Sequence, residues 1–203
     1  AVLEQEEREM GVCLIDIGGG TTDVALFSLG SIHHTAVLGL GGQNVTNDVA
    51  VGLRTSWSQA EQIKCTWGTV LADSVGTDEA IEVPGIAGRK PYSMPRRELA
   101  MIIGMRMEEI FSLVQADLRE AGFSRPPGAG VVLTGGGALI DGAAELAERV
   151  FGIPVRVGCP GGGTGLTDKV SSPIYATALG LVRHSLAQER AYQDTNRRSR
   201  PEY

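Results

Sequence analysis

The sequence predicts an α/β fold, and three observations carry that reading. The first is Asp16-Ile17-Gly18-Gly19-Gly20-Thr21-Thr22-Asp23, set between the apolar runs Val12-Cys13-Leu14-Ile15 and Val24-Ala25-Leu26-Phe27. That pattern is a strand, a glycine turn and a second strand. The second is Val131-Val132-Leu133-Thr134 running into Gly135-Gly136-Gly137-Ala138, followed by helical spacing in Ala143–Val150. The third is the recurrence of Leu99, Ile103, Met107, Ile110, Val114 and Leu118 at steps of four and three, the apolar face of one long helix.

The elements follow in order. Residues 1–10 read as a short polar lead-in. Strands are expected at Val12–Ile17, Val24–Leu29 and Ser31–Leu38, with a tight turn at Leu29-Gly30. Gly39-Leu40-Gly41-Gly42 breaks the pattern, and Asn44–Leu53 has helical spacing. Ser58 is the expected N-cap of the next helix, with Glu61 closing a capping box. Ile81–Val83 is strand-like. Pro84, Pro91 and Pro95 make residues 84–97 a loop, rich in cations at Arg89, Lys90, Arg96 and Arg97. The long helix spans Pro95–Ala121, with Ala121-Gly122 as its stop. Pro126-Pro127-Gly128 leads into the strand at Val131. A further strand is expected at Ile153–Val157, then a glycine loop over Gly158–Gly165. Pro173 opens the last helix, with Tyr175, Leu179, Val182 and Leu186 on one face. Residues 188–203 are polar, lack an apolar face and are expected to be disordered.

Composition excludes several functions. A net charge of −6 supplies no basic surface for nucleic acid. No apolar run approaches the roughly 20 residues needed to span a bilayer. The acidic start, Glu4, Glu6, Glu7 and Glu9, is unlike a secretory leader. Three scattered cysteines suit neither a disulfide framework nor a zinc site and fit a reducing cytoplasm. Cys13 reads as a small core residue, and His33 and His34 as a solvated strand edge.

The chemistry concentrates at the two glycine triplets. Gly18, Gly19 and Gly20 let the backbone turn tightly and leave amides uncovered, a donor surface suited to phosphate oxygens. Thr21 and Thr22 add hydroxyls. Asp16, at the end of an apolar strand, is placed to hold Mg²⁺ through water. Gly135, Gly136, Gly137 and Ala138 form a strand–turn–helix junction where a flat ligand can lie against backbone. Two such triplets suggest two edges of one nucleotide site. The alternatives are ordinary turns. The Gly39–Gly42 run lacks the spacing of a dinucleotide fingerprint.

Together these motifs resemble the ATPase superfamily that holds actin, the heat-shock chaperones and the sugar kinases. Asp16–Asp23 is similar to its phosphate hairpin and Leu133–Ala138 to its adenosine segment. Ser171–Leu181 is similar to its second connecting helix, and Ala60-Glu61-Gln62-Ile63-Lys64 to a helix of the bacterial actin homologues that contacts ribose and adenine. Within the superfamily, residues 11–186 resemble the FtsA family of bacterial cell-division proteins. The resemblance also rests on Val45–Ala50, Glu82-Val83-Pro84, Val150-Phe151-Gly152 and Thr164–Asp168, which follow in that family's order.

The resemblance implies an actin-like ATPase domain, a ribonuclease H-like mixed sheet with flanking helices. Residues 11–55 and 124–187 would form the core subdomain and 56–123 an inserted smaller α/β lobe, with 188–203 a disordered polar tail. It implies ATP and Mg²⁺ as cofactors, with Glu61 and Lys64 bracketing ribose and base; an exposed ion pair is the plainer reading of those two. The implied function is the nucleotide-binding half of a protein that polymerises and links the FtsZ ring to the cytoplasmic membrane. The implied partners are the FtsZ C-terminal tail, further copies of itself and other division proteins, with no nucleic acid. Arg96, Arg97 and Arg106 are the expected partner-binding cations. The superfamily's first phosphate hairpin and FtsA's membrane helix are not recognised in the sequence, so at most weak ATPase activity is expected. The expected location is cytoplasmic, on the inner face of the membrane at the division site. The alternatives are a rod-shape or pilus-assembly actin homologue, or a sugar or acetate kinase.

Overall fold

The structure is a computed structural model that describes residues 1–86, 88–123, 127–161 and 170–198. Its centre is a five-stranded sheet of order β3-β2-β1-β6-β7. The strands are β1 (Val12–Ile17), β2 (Thr22–Ser28), β3 (Ser31–Leu38), β6 (Val131–Thr134) and β7 (Val155–Val157). β1, β2 and β3 are antiparallel neighbours, whereas β6 pairs parallel with both β1 and β7. Leu29 and Gly30 both take positive φ, 51° and 77°. That pair gives the β2–β3 hairpin the two-residue turn whose twist matches the strands it joins.

The central strands are buried on both faces, and the pleat divides them between two clusters. Cys13, Ile15 and Ile17 of β1, with Val131 and Leu133 of β6, enter the main core. Val12 and Val132, one residue out of phase, join Val2 and Ala176 in a smaller cluster. Period-two alternation accounts for the split, and a central parallel strand needs both faces covered, as they are in the fully buried β6. Cys13 is a core residue, and burial pushes its thiol up to about 12.

The main core is covered by α2 (Gly42–Gly52), α4 (Arg96–Glu120) and α5 (Ala143–Phe151). α4 buries Leu99, Ile103, Met107, Ile110, Phe111, Val114 and Leu118. These side chains share one cluster with Ile15, Ile17 and Leu133. The rest of the stretch 56–123, expected with α4 as an inserted lobe, holds α3 (Trp57–Trp67), a 3₁₀ turn (Ala72–Ser74) and the hairpin of β4 (Ala80–Val83) and β5 (Tyr92–Pro95). Ala60, Ile63, Ile81, Val83 and Met94 of these elements join the same cluster, so α4 shares one core with the sheet and with the hairpin.

Several local differences have plain causes. Residues 92–95, expected as loop, pair with β4, with Pro95 at the strand's last position; a proline is tolerated there. α3 is capped by Ser56, whose hydroxyl accepts from the Gln59 amide, rather than by Ser58. The lead-in forms α1 (Gln5–Met10), and Arg156 donates to both Glu7 carboxylate oxygens at 2.6 Å, tying it to β7. His34 is not a solvated edge residue: its Nε2 lies 2.7 Å from Asp117 Oδ2, joining β3 to α4. The last helix, α6 (Ala176–Arg198), runs through much of the stretch expected to be disordered. Leu186-Ala187-Gln188-Glu189-Arg190 are strong helix formers and continue it by propensity. Half of the expected Gly158–Gly165 loop, residues 162–165, lies outside the described residues.

Candidate functional site

Register builds the site. In the parallel pair, Asp16 lies opposite Thr134. Both glycine turns therefore leave the same end of the sheet side by side, the carboxyl end, where ligands of open α/β sheets bind. The turn after β1 is closed by the Gly18 amide donating to Thr21 O at 2.9 Å. The carbonyls of Gly18 and Gly19 then accept from the first amides of α2, Gly42 at 2.9 Å and Gln43 at 2.7 Å. In a trans peptide the N–H opposes the preceding carbonyl. The amides of Gly19 and Gly20 thus turn away from α2, and among the described residues neither has an acceptor. That pair is the donor set a phosphate would take.

The neighbouring calls sort by contact. Thr21 is exposed, and its hydroxyl donates to Asp23 Oδ2 at 3.1 Å. Thr22 corrects its expectation: it is fully buried, with its hydroxyl spent on Leu40 O at 2.8 Å, so it offers nothing to a phosphate. Alternation along β2 turns it inward. Asp16, one residue before the end of β1, is half-buried, and Thr177 at the start of α6 donates to its Oδ2 at 2.7 Å. The other oxygen, Oδ1, lies against Gly135 of the second triplet. The sequence reading missed Thr177; the nearest signal was the small-residue stretch Ser171–Leu181 that contains it.

The second triplet divides in the same way. Gly135 takes φ +81°, and a Cβ there would lie 2.3 Å from Asp16 Oδ1. A Cβ on Gly137 would meet Ile17 Cγ2 at 2.3 Å. These two glycines allow the turn to pack against β1. Ala138 is also buried in the core, which corrects its expectation as a ligand floor. Gly136 alone is exposed, with Ile174 at 3.7 Å from its would-be Cβ.

α3 closes the other wall. Lys64 Nζ donates to Gly42 O at 3.2 Å and to Thr46 Oγ1 at 2.9 Å, and pairs with Glu61 at 2.8 Å. Glu61 also accepts from the Thr46 hydroxyl. Burial pushes the Glu61 carboxyl up, but hydrogen bonds from Lys64 and Thr46 outweigh it and hold the group below its usual value. The pair is thus anchored on α2 rather than free in solvent. Between these walls is a cleft of about 490 Å³, reached by Gly18, Gly19, Glu61, Lys64, Gly136 and Gly137. It brings together residues from all three stretches singled out in the sequence. A second cleft, of about 470 Å³, lies at the opposite end of the sheet among Phe27, Phe123 and Phe151.

The three arginines expected to meet a partner hold carboxylates of this chain. Arg106 donates to Asp48 through Nε at 2.6 Å and Nη2 at 3.1 Å, and to Glu109 at 2.5 Å. Arg96 binds Glu79 at 2.7 Å and Arg97 binds Asp73 at 2.9 Å. A different groove, of about 400 Å³, carries Arg54, Arg89 and Lys90 beside Tyr92 and Met94. Among the described residues none of these three cations has an ion-pair partner.

Residues 13–180 match the family described as cell division protein FtsA. The chain is 48% identical over 189 residues to cell division protein FtsA of Pseudomonas aeruginosa, covering 93% of this chain and 45% of that protein. It is 45% identical over 191 residues to the Escherichia coli K12 protein of the same name, covering 91% and 46%. The chain thus spans a little under half the length of these relatives. Among solved structures it is similar to MreB5 of Spiroplasma citri bound to ADP, with TM-score 0.60 and 23% identity over 85% of this chain and 55% of that one. It is similar also to the PilM–PilN type IV pilus biogenesis complex, with TM-score 0.65 and 20% identity over 89% and 47%. The fold is that of the actin-like ATPases, and the chain belongs to the FtsA family of cell division proteins.

Proposed function

We propose that this chain is the nucleotide-binding half of an actin-like protein that polymerises and links the FtsZ ring to the inner face of the cytoplasmic membrane, with Mg²⁺ and ATP held in the cleft. One observation carries the nucleotide reading: Gly19 with its free amide, the exposed Gly136 and the anchored Glu61–Lys64 pair border one cleft, and the free amide of Gly20 follows next in the same turn. The likeness to an MreB5 structure bound to ADP supports it. Gly19, Gly20 and the exposed Thr21 would hold phosphate, and Asp16 would meet Mg²⁺ through water. Glu61 and Lys64 would meet the ribose. We expect at most weak ATPase activity: the one carboxylate among the described residues that line the cleft, Glu61, is held by Lys64 and Thr46. Family membership favours this reading over the rod-shape, pilus and kinase alternatives.

Gly136→Arg tests it. The added Cβ meets only Ile174, at ordinary contact distance, so the variant is expected to fold and to fill the cleft. Calorimetric titration with Mg-ATP should show at least about tenfold weaker binding, roughly 1.4 kcal/mol. Unchanged affinity in a folded variant would place the nucleotide elsewhere.

For the FtsZ tail, the charge inventory moves the proposal away from Arg96, Arg97 and Arg106, whose guanidinium groups are in use. An acidic peptide would find unpaired cations in the groove of Arg54, Arg89 and Lys90. Reversing Arg89 and Lys90 together to Glu should weaken a labelled FtsZ-tail peptide by about 1 kcal/mol at low salt, the scale of exposed ion pairs, and by less at high salt. Arg106→Glu, which sets a third carboxylate beside Asp48 and Glu109, should instead lower stability. Fluorescence anisotropy with a parallel thermal melt separates the two. Peptide affinity unaffected by the double reversal removes the groove from the proposal. Among the described residues, no helix is long and apolar enough to cross a membrane.

A further inference from the structure

We infer that Trp57 is the base-contacting wall of the cleft, an aromatic platform that makes the site prefer a nucleoside triphosphate over its bare phosphate chain. The inference rests on the nucleotide reading above. Trp57 is the first residue of α3, and it lines the cleft together with Glu61, Lys64, Cys65 and Gly68. Those positions follow at steps of four, three, one and three, so a single face of the helix forms this wall. Its two ends differ in chemistry. At the Lys64 end, Nζ reaches Gly42 O, and the Gly42 amide in turn donates to Gly18 O of the glycine hairpin. That end, where Lys64 would meet the ribose, is the one nearer the glycine hairpin and its phosphate donors. Trp57 lies seven residues away along the helix, about 10 Å at 1.5 Å per residue. This is the order of the distance that separates the phosphates of a nucleotide from its base.

The indole is also available to a ligand. Large aromatic side chains normally bury most of their surface, yet Trp57 is 48% exposed while facing a concave surface. It makes no ring–ring contact among the described residues. Across the cleft stand Leu139, Ile140 and Ile174, with the open backbone of Gly136. A flat ring on one wall and apolar side chains with bare backbone on the other make a slot for a planar, weakly polar group. Base–aromatic stacking strengthens binding whichever base is present, because every base has a face to offer. The platform therefore favours a nucleobase without choosing sharply among bases.

The test uses the full chain and two probes, Mg-ATP and inorganic triphosphate with Mg²⁺, titrated by calorimetry against the unsubstituted protein, Trp57→Ala and Trp57→Phe. Trp57→Ala should bind ATP about tenfold more weakly and triphosphate unchanged, while Trp57→Phe keeps most of the ATP affinity. The chain has two tryptophans, so a Trp67→Phe background leaves Trp57 as the sole indole; its fluorescence should change saturably with ATP and not with triphosphate. Near-ultraviolet dichroism and melting temperature check that each variant is folded. ATP affinity equal in Trp57→Ala and the unsubstituted chain overturns this inference alone. Equal loss of ATP and triphosphate also overturns it, since Trp57 would then act through the fold of the cleft. Failure of the unsubstituted chain to bind either probe overturns the nucleotide reading and this inference with it.

Discussion

Gly19→Val is expected to abolish ATP binding while leaving the fold intact. Two features of the hairpin tip combine to give that outcome. The carbonyls of Gly18 and Gly19 are fixed on the Gly42 and Gln43 amides, so the Gly19 and Gly20 amides are already oriented and need no rearrangement to meet a phosphate. A branched side chain at position 19 covers those donors. Amide bonds to a charged acceptor contribute about 1.5–3 kcal/mol each, so losing two costs about 3–6 kcal/mol. That exceeds the effect of Gly136→Arg, which crowds the cleft without touching the hairpin. The fold should tolerate the change, because a Cβ at Gly19 meets only the end of the Gln43 side chain, at 3.7 Å. Calorimetric titration of Mg-ATP, paired with a thermal melt, reads both halves of the expectation. Unchanged affinity in a variant that melts normally would mean that the hairpin is a turn and nothing more.

The contrast between positions 19 and 22 shows what the sequence made legible. Strand, glycine turn and strand were readable from pattern, because side-chain alternation and glycine enrichment are local properties. β1 was placed at its observed bounds for that reason. The fate of each hydroxyl was not readable. Thr21 and Thr22 are neighbours of the same type, yet only the pleat of β2 decides that Thr22 turns inward to Leu40 O. The same limit applies to the arginines. Three guanidinium groups in a cation-rich stretch look available to a partner, but Asp48 is 58 residues from Arg106 in sequence, and only the packing of α2 on α4 brings them together. Helix α4 was readable as a helix from its apolar stripe. What it packs on is a tertiary property: its stripe shares one core with Ile15, Ile17 and Leu133 of the sheet and with Ile81, Val83 and Met94 of the hairpin. Thr177, which orients Asp16 from the far end of the chain, belongs to the same class.

The second glycine triplet gives the largest expected effect on stability, and a control built into the sequence. A Cβ on Gly137 would lie 2.3 Å from Ile17 Cγ2, 2.7 Å from Ile17 Cβ and 3.2 Å from Ile17 O. Ile17 is fully buried at the end of β1, and the backbone behind it is held in the ladders to β2. Neither partner can yield cheaply. Overpacking by a few methylenes costs about 1–3 kcal/mol and sometimes more, so Gly137→Val should lose about 3 kcal/mol. For a domain of this size that corresponds to a fall in melting temperature of roughly 6–12 °C. Gly136→Val makes the same chemical change one residue earlier, where the added Cβ meets Ile174 at 3.7 Å. Because both variants alter the unfolded chain equally, the difference between them reports the native clash alone. Denaturant unfolding of the two, side by side, measures it. Equal midpoints would mean that β1 and the second triplet are not packed as described, and the shared edge of the cleft would go with them.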